Sequence, residues 1–523
     1  MLKSKGSKKE IDVCLILEGT YPYVRGGVSS WVHELICYHK ELNFQILSIL
    51  PPDNKKKLEI LYDVPKNVTE ITNIYLQDLP FGSKKIKSSQ KEELLKKLEV
   101  PILNMQSRPT LRGLGSIIRN IEAAERDLGV TIGRGTLMDS KEAWVMLLRM
   151  YNMTMGNSCF LDYFWSWRAL LGSFYSILLA PLPEAKVYHA LCTGYAGLYL
   201  ARAKYHEKKP CIITEHGIYT NERRIEIYSA EWLEDEKSLD FNVDKKVADR
   251  DLRDFWIDSF TGYSKLCYDS CDKIITLYEG NTIVQLQDGA PQEKLSVIPN
   301  GIDYEKFSGI KRKSYFEDKS RPPSIALIGR VVPIKDIKTY IRACDAIRKE
   351  IPDIQAYIMG PCEEDEEYYE ECVDLVNSMN LQKTVIFTGM VNLVEYLQKI
   401  DVQVLTSISE AQPLVILEAG AAGIPSVATN VGACMEMIFG GSYEDPPLGA
   451  GGDISALSNP MSVAESVINL LENKEYYDSC GAALKERVRK YYNKTDLHLA
   501  YAEIYKNLMA EAMKIEHSKQ EVV

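Results

Sequence analysis

Strand-length hydrophobic runs alternate with helix-length segments along this chain, and they fall into two series. The first comprises 12–19 (DVCLILEG), 44–50, a weaker 69–76, 186–191, 210–217, 272–278 and 295–299; the second comprises 324–330 (SIALIGR), 354–360, 384–390, 402–407 and 425–429. Apolarity in these runs is continuous rather than alternating, as it is in strands covered on both faces within parallel sheets. Strand–helix alternation predicts βαβ units, and two series predict two doubly wound α/β domains.

The charged segment 308–323, ending in two prolines, marks the expected boundary. The organisation read from the pattern is a basic tail over 1–10, an N-terminal domain over 11–308 and a C-terminal domain over 322–491. Helices follow the last strand, and 492–523 forms the terminal one. Helical insertions over about 79–184 and 219–260 interrupt the first domain, either as lids and partner surfaces or as plain helical elaborations. The apolar stretch 170–182 falls short of the roughly 20 residues that cross a bilayer, which predicts a buried helix. The twelve cysteines are scattered, without a CxxC pair, and this favours a reducing cytoplasm over a disulfide framework.

Charge narrows the function classes. With 62 Lys and Arg against 73 Asp and Glu the net charge is −11, which excludes a general nucleic-acid coat but leaves room for a local cationic pocket. Asp249-Arg250-Asp251 spells DxD but lies in a run of alternating charge, the pattern of a solvated helix face. HExxH, P-loop and GxSxG patterns are absent from the sequence.

Four elements carry candidate chemistry. In EGTYPYVRGGVSSWV (18–32), Gly26 and Gly27 precede a helix starting near Ser29, where backbone N–H groups can approach an anion, although a tight turn would also want glycine. Arg330 ends the first strand of the second series and Lys335 follows it. Together they suit a diphosphate, the alternative being two solvated surface cations. In SISEAQPLVILEAGAAGIP (407–425), Pro413 opens a helix bearing Glu418, and Glu410 stays in the preceding loop. The backbone of Gln412, Pro413, Leu414 and Val415 brings N–H donors to the helix start, and Gly420 and Gly423 let the helix pack closely on its sheet. His189 and His216 close two strands of the first series at one edge, as packed residues or as groups facing a ligand.

Taken together, these motifs resemble the GT-B retaining glycosyltransferases of family 4. The resemblance rests on Gly329-Arg330 with Lys335, the E-x7-E pair Glu410 and Glu418 followed by EAGAAGIPSVAT, and VIPNGID at 297–303. More narrowly, EGTYPYVRGGVSSWVHEL, YHALCTGYAGLYLA, TEHGIYTNERRIEI and TSISEAQPLVILEA are similar to the glycosyltransferases of Pel exopolysaccharide synthesis. Ala411 stands where the family commonly has Gly, and Asn430 where Asp is frequent.

The resemblance implies two Rossmann-like domains facing a deep cleft, the last helix crossing back to the first domain, and a cytoplasmic, metal-independent enzyme. Its donor would be a UDP-sugar (UDP-glucose or a UDP-N-acetylhexosamine) and its acceptor a growing polysaccharide, with inner-membrane synthase subunits as partners. By the same resemblance Arg330 and Lys335 neutralise the diphosphate, Glu418 binds the ribose and Glu410 the donor sugar. The Gly26-Gly27 loop closes over the phosphates, and His189 and His216 line the cleft. A lipid or small-molecule acceptor, a catalytically silent subunit that binds nucleotide sugars, and a nucleotide-sugar epimerase stay open.

Overall fold

The computed structural model describes residues 9–52, 58–155, 158–230 and 251–520. The DxD reading at 249–251, most of the basic tail and the middle of the second insertion lie outside them, wholly or in part. The chain divides into two compact units: 1–276, 282–296 and 502–523 in one, 277–281 and 297–501 in the other.

The first unit is built on a seven-stranded sheet. Its strands are β1 (Val13–Glu18), β2 (Phe44–Leu50), β3 (Val68–Tyr75), β4 (Val187–Ala190), β5 (Cys211–Glu215), β6 (Lys273–Thr276) and β7 (Leu295–Val297), in the order β3-β2-β1-β4-β5-β6-β7. The second unit carries six strands: β8 (Ser324–Ile328), β9 (Gln355–Met359), β10 (Val385–Gly389), β11 (Val402–Leu405), β12 (Ser426–Thr429) and β13 (Gly452–Ser455), in the order β10-β9-β8-β11-β12-β13. Registered neighbours pair in parallel, for example Val13 with Phe44 and Val187, and Gln403 with Ser426 and Ala326. Every run of the two series became a strand. Each order reverses once, between β1 and β4 and between β8 and β11. Doubly wound sheets open a crevice at the carboxyl ends of such neighbours.

Continuous apolarity has the expected cause. All of β2, β4, β5, β11 and β12 is buried, because helices cover both faces. The first insertion is helical, with Ser88–Ser107, Leu111–Leu128, Lys141–Thr154 and Phe160–Leu179. Leu111–Leu128 is delimited by its ends: Thr110 accepts from Gly113 N at 3.0 Å, and Gly129 leaves it in the left-handed region at φ 63°. The apolar stretch 170–182 sits largely in Phe160–Leu179, with Leu170, Leu171, Phe174 and Ile177 buried in the core. No described helix is long and apolar enough to cross a membrane. Among the described residues all twelve cysteines are free thiols.

Two points differ from the sequence reading. Residues 297–308 belong with the second unit, not the first, since Ile302 bridges Asn493 and a Cβ on Gly301 would stand 2.4 Å from Lys494 N. Strand β13 was not foreseen. It is a short edge strand, partly exposed at Asp453 and Ile454. The helix Lys494–Gln520 divides, its residues to 501 belonging to the second unit and those from 502 to the first.

Candidate functional site

In the second unit, the site forms where β8, β11 and β12 end side by side. After β8 the chain passes Gly329 and Arg330 into the short 3-10 turn Pro333–Lys335. Asp336 then takes a left-handed conformation at φ 45°, uncommon for a residue with a side chain. Neighbouring groups hold it there. Its carboxylate accepts from Thr339 N at 3.3 Å and from Ser458 Oγ at 3.0 Å, and Thr406 Oγ1 donates to the carbonyls of Lys335 (2.9 Å) and Asp336 (3.0 Å). Ile408 N donates to Ile334 O at 2.8 Å, so the loop leaving β11 is tied to the turn leaving β8.

That tie brings Lys335 to Glu410. The Lys335 ammonium forms an ion pair with the Glu410 carboxylate, and Ser407 Oγ donates to the same oxygen at 2.6 Å. Both charged side chains are mostly buried, at 18% and 13% exposure. From the third strand end, Gly432 at φ 52° lies against the same loop. A Cβ there would stand 2.1 Å from Glu410 O, and Ala433 N donates to Ala411 O at 2.8 Å. Glu410 is thus placed by loops from three neighbouring strands.

Arg330 behaves differently. Its guanidinium is half exposed and pairs with the equally exposed Glu364. The two cations proposed to share one diphosphate each hold a carboxylate of their own, and only Lys335 joins Glu410.

The helix expected to open at Pro413 spans Leu414–Ala421, with Pro413 as its N-cap residue. Among the described residues no side chain caps it, so the N–H groups of Leu414 and Val415 stand at an uncapped helix start. Gln412 Oε1 accepts from Asn300 N at 2.7 Å, while the buried Gln412 Nε2 and Asn300 Oδ1 are unpaired among the described residues. Glu418 lies on the helix as expected. Burial pushes its carboxyl from the ordinary 4.5 up to about 7, with the Lys306 ammonium pulling the other way. Gly420 serves helix packing, but against Leu484 of the helix Lys474–Tyr491 rather than against the sheet: a Cβ would stand 2.6 Å from Leu484 Cγ.

In the first unit, Gly26 and Gly27 are exposed, and the helix Gly27–Tyr38 begins two residues before the expected Ser29. A Cβ at either glycine would meet nothing within 4 Å among the described residues, so packing of this chain does not require them.

The two histidines part company. His189 is fully buried with both ring nitrogens engaged, Nδ1 with Tyr505 OH at 2.7 Å and Nε2 with Thr214 Oγ1 at 2.9 Å. Desolvation holds it neutral, down to about 3, with His216 adding to the effect. It is a packed residue here and not the cleft-lining group that the resemblance implies. His216 is nearly buried and packs edge-on to Trp31 with centroids 4.8 Å apart. Its Nε2 is unpaired among the described residues, and burial takes it down to about 4.

Beside it lies Glu215, a carboxylate not singled out from the sequence. It is fully buried and accepts from Tyr268 OH (2.7 Å), Gln285 Nε2 (2.7 Å) and Thr193 Oγ1 (3.3 Å). Burial raises it to about 7 against the pull of those donors. Glu18 closes β1 and occupies a helix start. Its Oε2 accepts from Tyr195 N at 2.9 Å and Ala196 N at 3.4 Å, its Oε1 from Tyr219 OH at 2.8 Å.

Two family models and several known proteins resemble the chain. Residues 11–293 match the family described as Domain of unknown function (DUF3492), and residues 311–487 match Glycosyl transferases group 1. A D-inositol 3-phosphate glycosyltransferase of Paenarthrobacter aurescens (strain TC1) is 30% identical over 162 residues, 29% of this chain and 39% of the relative. The UDP-Gal:alpha-D-GlcNAc-diphosphoundecaprenol alpha-1,3-galactosyltransferase of Escherichia coli is 33% identical over 156 residues, 26% and 37% of the two chains. The chain therefore spans under two fifths of either relative. Among solved structures, HepE of Anabaena in complex with UDP and glucose superposes with a TM-score of 0.54 at 13% identity, covering 95% of this chain and 100% of HepE. The sucrose-phosphate synthase of Thermosynechococcus elongatus gives 0.55 at 14% identity, covering 96% and 100%. Two parallel Rossmann-like sheets and these superpositions establish the GT-B fold. With more than half of its length matched by the first model, the chain belongs to the DUF3492 family and carries a glycosyl transferases group 1 domain at 311–487.

Proposed function

We propose that this protein is a retaining glycosyltransferase that moves a hexose or N-acetylhexosamine from a UDP-sugar to a growing exopolysaccharide. The observation that carries the reading is the Lys335–Glu410–Ser407 constellation at the β8/β11 crevice, beside an uncapped helix start and the partly buried Glu418. Departure of UDP develops negative charge. A fixed ammonium and oriented N–H groups stabilise it without reorganising. Lys335 exchanges Glu410 for the diphosphate, which frees Glu410 to accept from hydroxyls of the donor sugar. Arg330 swings from Glu364 onto the same phosphates. Glu418 binds the ribose, and the Gly26-Gly27 loop, whose glycines its own packing does not require, approaches the phosphates. The reaction needs no metal. The relatives and the HepE complexes with UDP and UDP-glucose support a UDP-sugar donor.

The motifs shared with the Pel glycosyltransferase, PelF, favour a polysaccharide acceptor and a cytoplasmic enzyme at the inner face of the cell membrane beside its synthase subunits. UDP release, measured with UDP-glucose, UDP-N-acetylglucosamine and UDP-N-acetylgalactosamine, tests the proposal. One of them supports turnover, and Arg330→Ala and Glu410→Ala lose it. Variants that turn over like the parent would remove these residues from the site. Interconversion of two UDP-sugars without UDP release would make the protein an epimerase.

A further inference from the structure

Helices of the first unit line a cavity of about 440 Å³ whose residues have no part in the proposed reaction. One wall is Trp165, which stays 60% exposed, and Trp256 faces the same space with its Nε1 tied to Ser166 Oγ at 3.1 Å. Arg134 and Arg168 line the rim, joined through Asp139: Arg134 Nε donates to Oδ2 at 2.8 Å and Arg168 Nη2 to Oδ1 at 3.0 Å. Gly172 belongs to the lining, and a Cβ there would press on Gln77 Cγ at 3.3 Å.

Contiguous exposed apolar surface rimmed by polar groups marks binding sites, and here Trp165 and Trp256 share one lining with Arg134 and Arg168. The volume suits a small ligand or a few linked rings. Sugars are recognised by this combination: an aromatic plane for the C–H face of the ring, and fixed, planar donors and acceptors at the rim for its hydroxyls. Each guanidinium has five N–H donors and spends only part of them on Asp139, and two cations against one carboxylate favour a hydroxyl-rich or anionic ligand over a cationic one. We propose that this groove is a glycan-binding subsite, made of residues other than those of the proposed reaction centre, that holds part of the saccharide acceptor. The inference rests on the acceptor being a saccharide.

Calorimetric titration of the full chain with cellohexaose, maltohexaose, chitohexaose and an oligomer of N-acetylgalactosamine tests it. At least one binds the parent and quenches indole fluorescence. Trp165→Ala, at an exposed position that leaves folding intact, weakens that binding at least tenfold. Trp165→Phe retains most of it, and Ala169→Phe, which fills the groove, abolishes it. UDP binding is the same in all three variants. Saccharide binding that Trp165→Ala leaves unchanged overturns the proposal, as does a parent that binds none of the four. So does loss in Trp165→Ala of flotation with phosphatidylglycerol vesicles while saccharides fail to bind, which would make the face a lipid contact. Loss of UDP release from the parent with saccharide binding intact would sink the proposed reaction and leave the groove standing.

Discussion

The two units present the same topological feature with opposite contents. In each, the strand order reverses once and a helix starts near the reversal, after β4 in one and after β11 in the other. In the first unit the crevice at β1 and β4 is filled by the protein itself. The Glu18 carboxylate takes the N–H groups of Tyr195 and Ala196, and His189 is sealed between Thr214 and Tyr505. In the second, the helix Leu414–Ala421 starts without a side-chain cap among the described residues, and its neighbours are the mostly buried Lys335 and Glu410. An occupied helix start is structural, whereas an uncapped one beside an ammonium is ready for an anion. Position at a switch point is therefore insufficient to assign chemistry; what already fills the donors decides.

Removing the ammonium at the open crevice breaks this contrast most strongly. Lys335→Ala lowers kcat by on the order of 10²–10³ in a UDP-release assay, the usual effect of deleting one preorganised electrostatic donor. Equal turnover would make the two crevices alike.

The closed crevice is read through pH. Native Glu215 keeps its proton up to about 7, whereas in the unfolded chain it ionises near 4.5. Between those values the native state binds more protons, so stability falls as pH rises and levels off above about 7. The loss amounts to about 3 kcal/mol at most. Denaturant unfolding at pH 5 and 7.5 measures it, and Glu215→Gln flattens the slope attributable to this residue. An unaltered slope would mean that the residue ionises normally.

A smaller effect comes from the filled helix start. Glu18→Ala costs about 1–2 kcal/mol in denaturant unfolding, as loss of a cap does. The smallest concerns Arg330. Glu364→Gln releases it from a solvent-exposed pair worth under about 1 kcal/mol, so UDP binds up to about fivefold tighter by calorimetry. Weaker binding would mean that Glu364 orients the guanidinium instead of competing for it.

Much of this was legible because buried parallel strands announce themselves by unbroken apolarity. Most of β1 to β12 follow it, β3 only weakly because Glu70 and Asn73 interrupt it, and β13 does not, because a short edge strand beginning at Gly452 and exposing Asp453 carries too few apolar positions. Lys335, Glu410 and Glu418 are evident as motif residues. What spacing cannot convey is occupancy. His189 looks the same in sequence whether or not Tyr505, 316 residues away, holds its ring. Gly432 reads as an ordinary turn glycine, yet it makes room for the Glu410 carbonyl. Asp336, a helix cap by its spacing to Thr339, gives no hint in sequence of its left-handed backbone.

The division of the helix Lys494–Gln520 has a consequence for how the protein is made. The first unit includes residues from 502 onward, and Tyr505 completes the burial of His189. Domains usually form in order as the chain leaves the ribosome. Here the earlier unit waits for a segment that follows every strand of the second unit, so the polypeptide holds an unsealed core while that unit is being translated. Severing the chain after Ser296 would leave that core unsealed permanently.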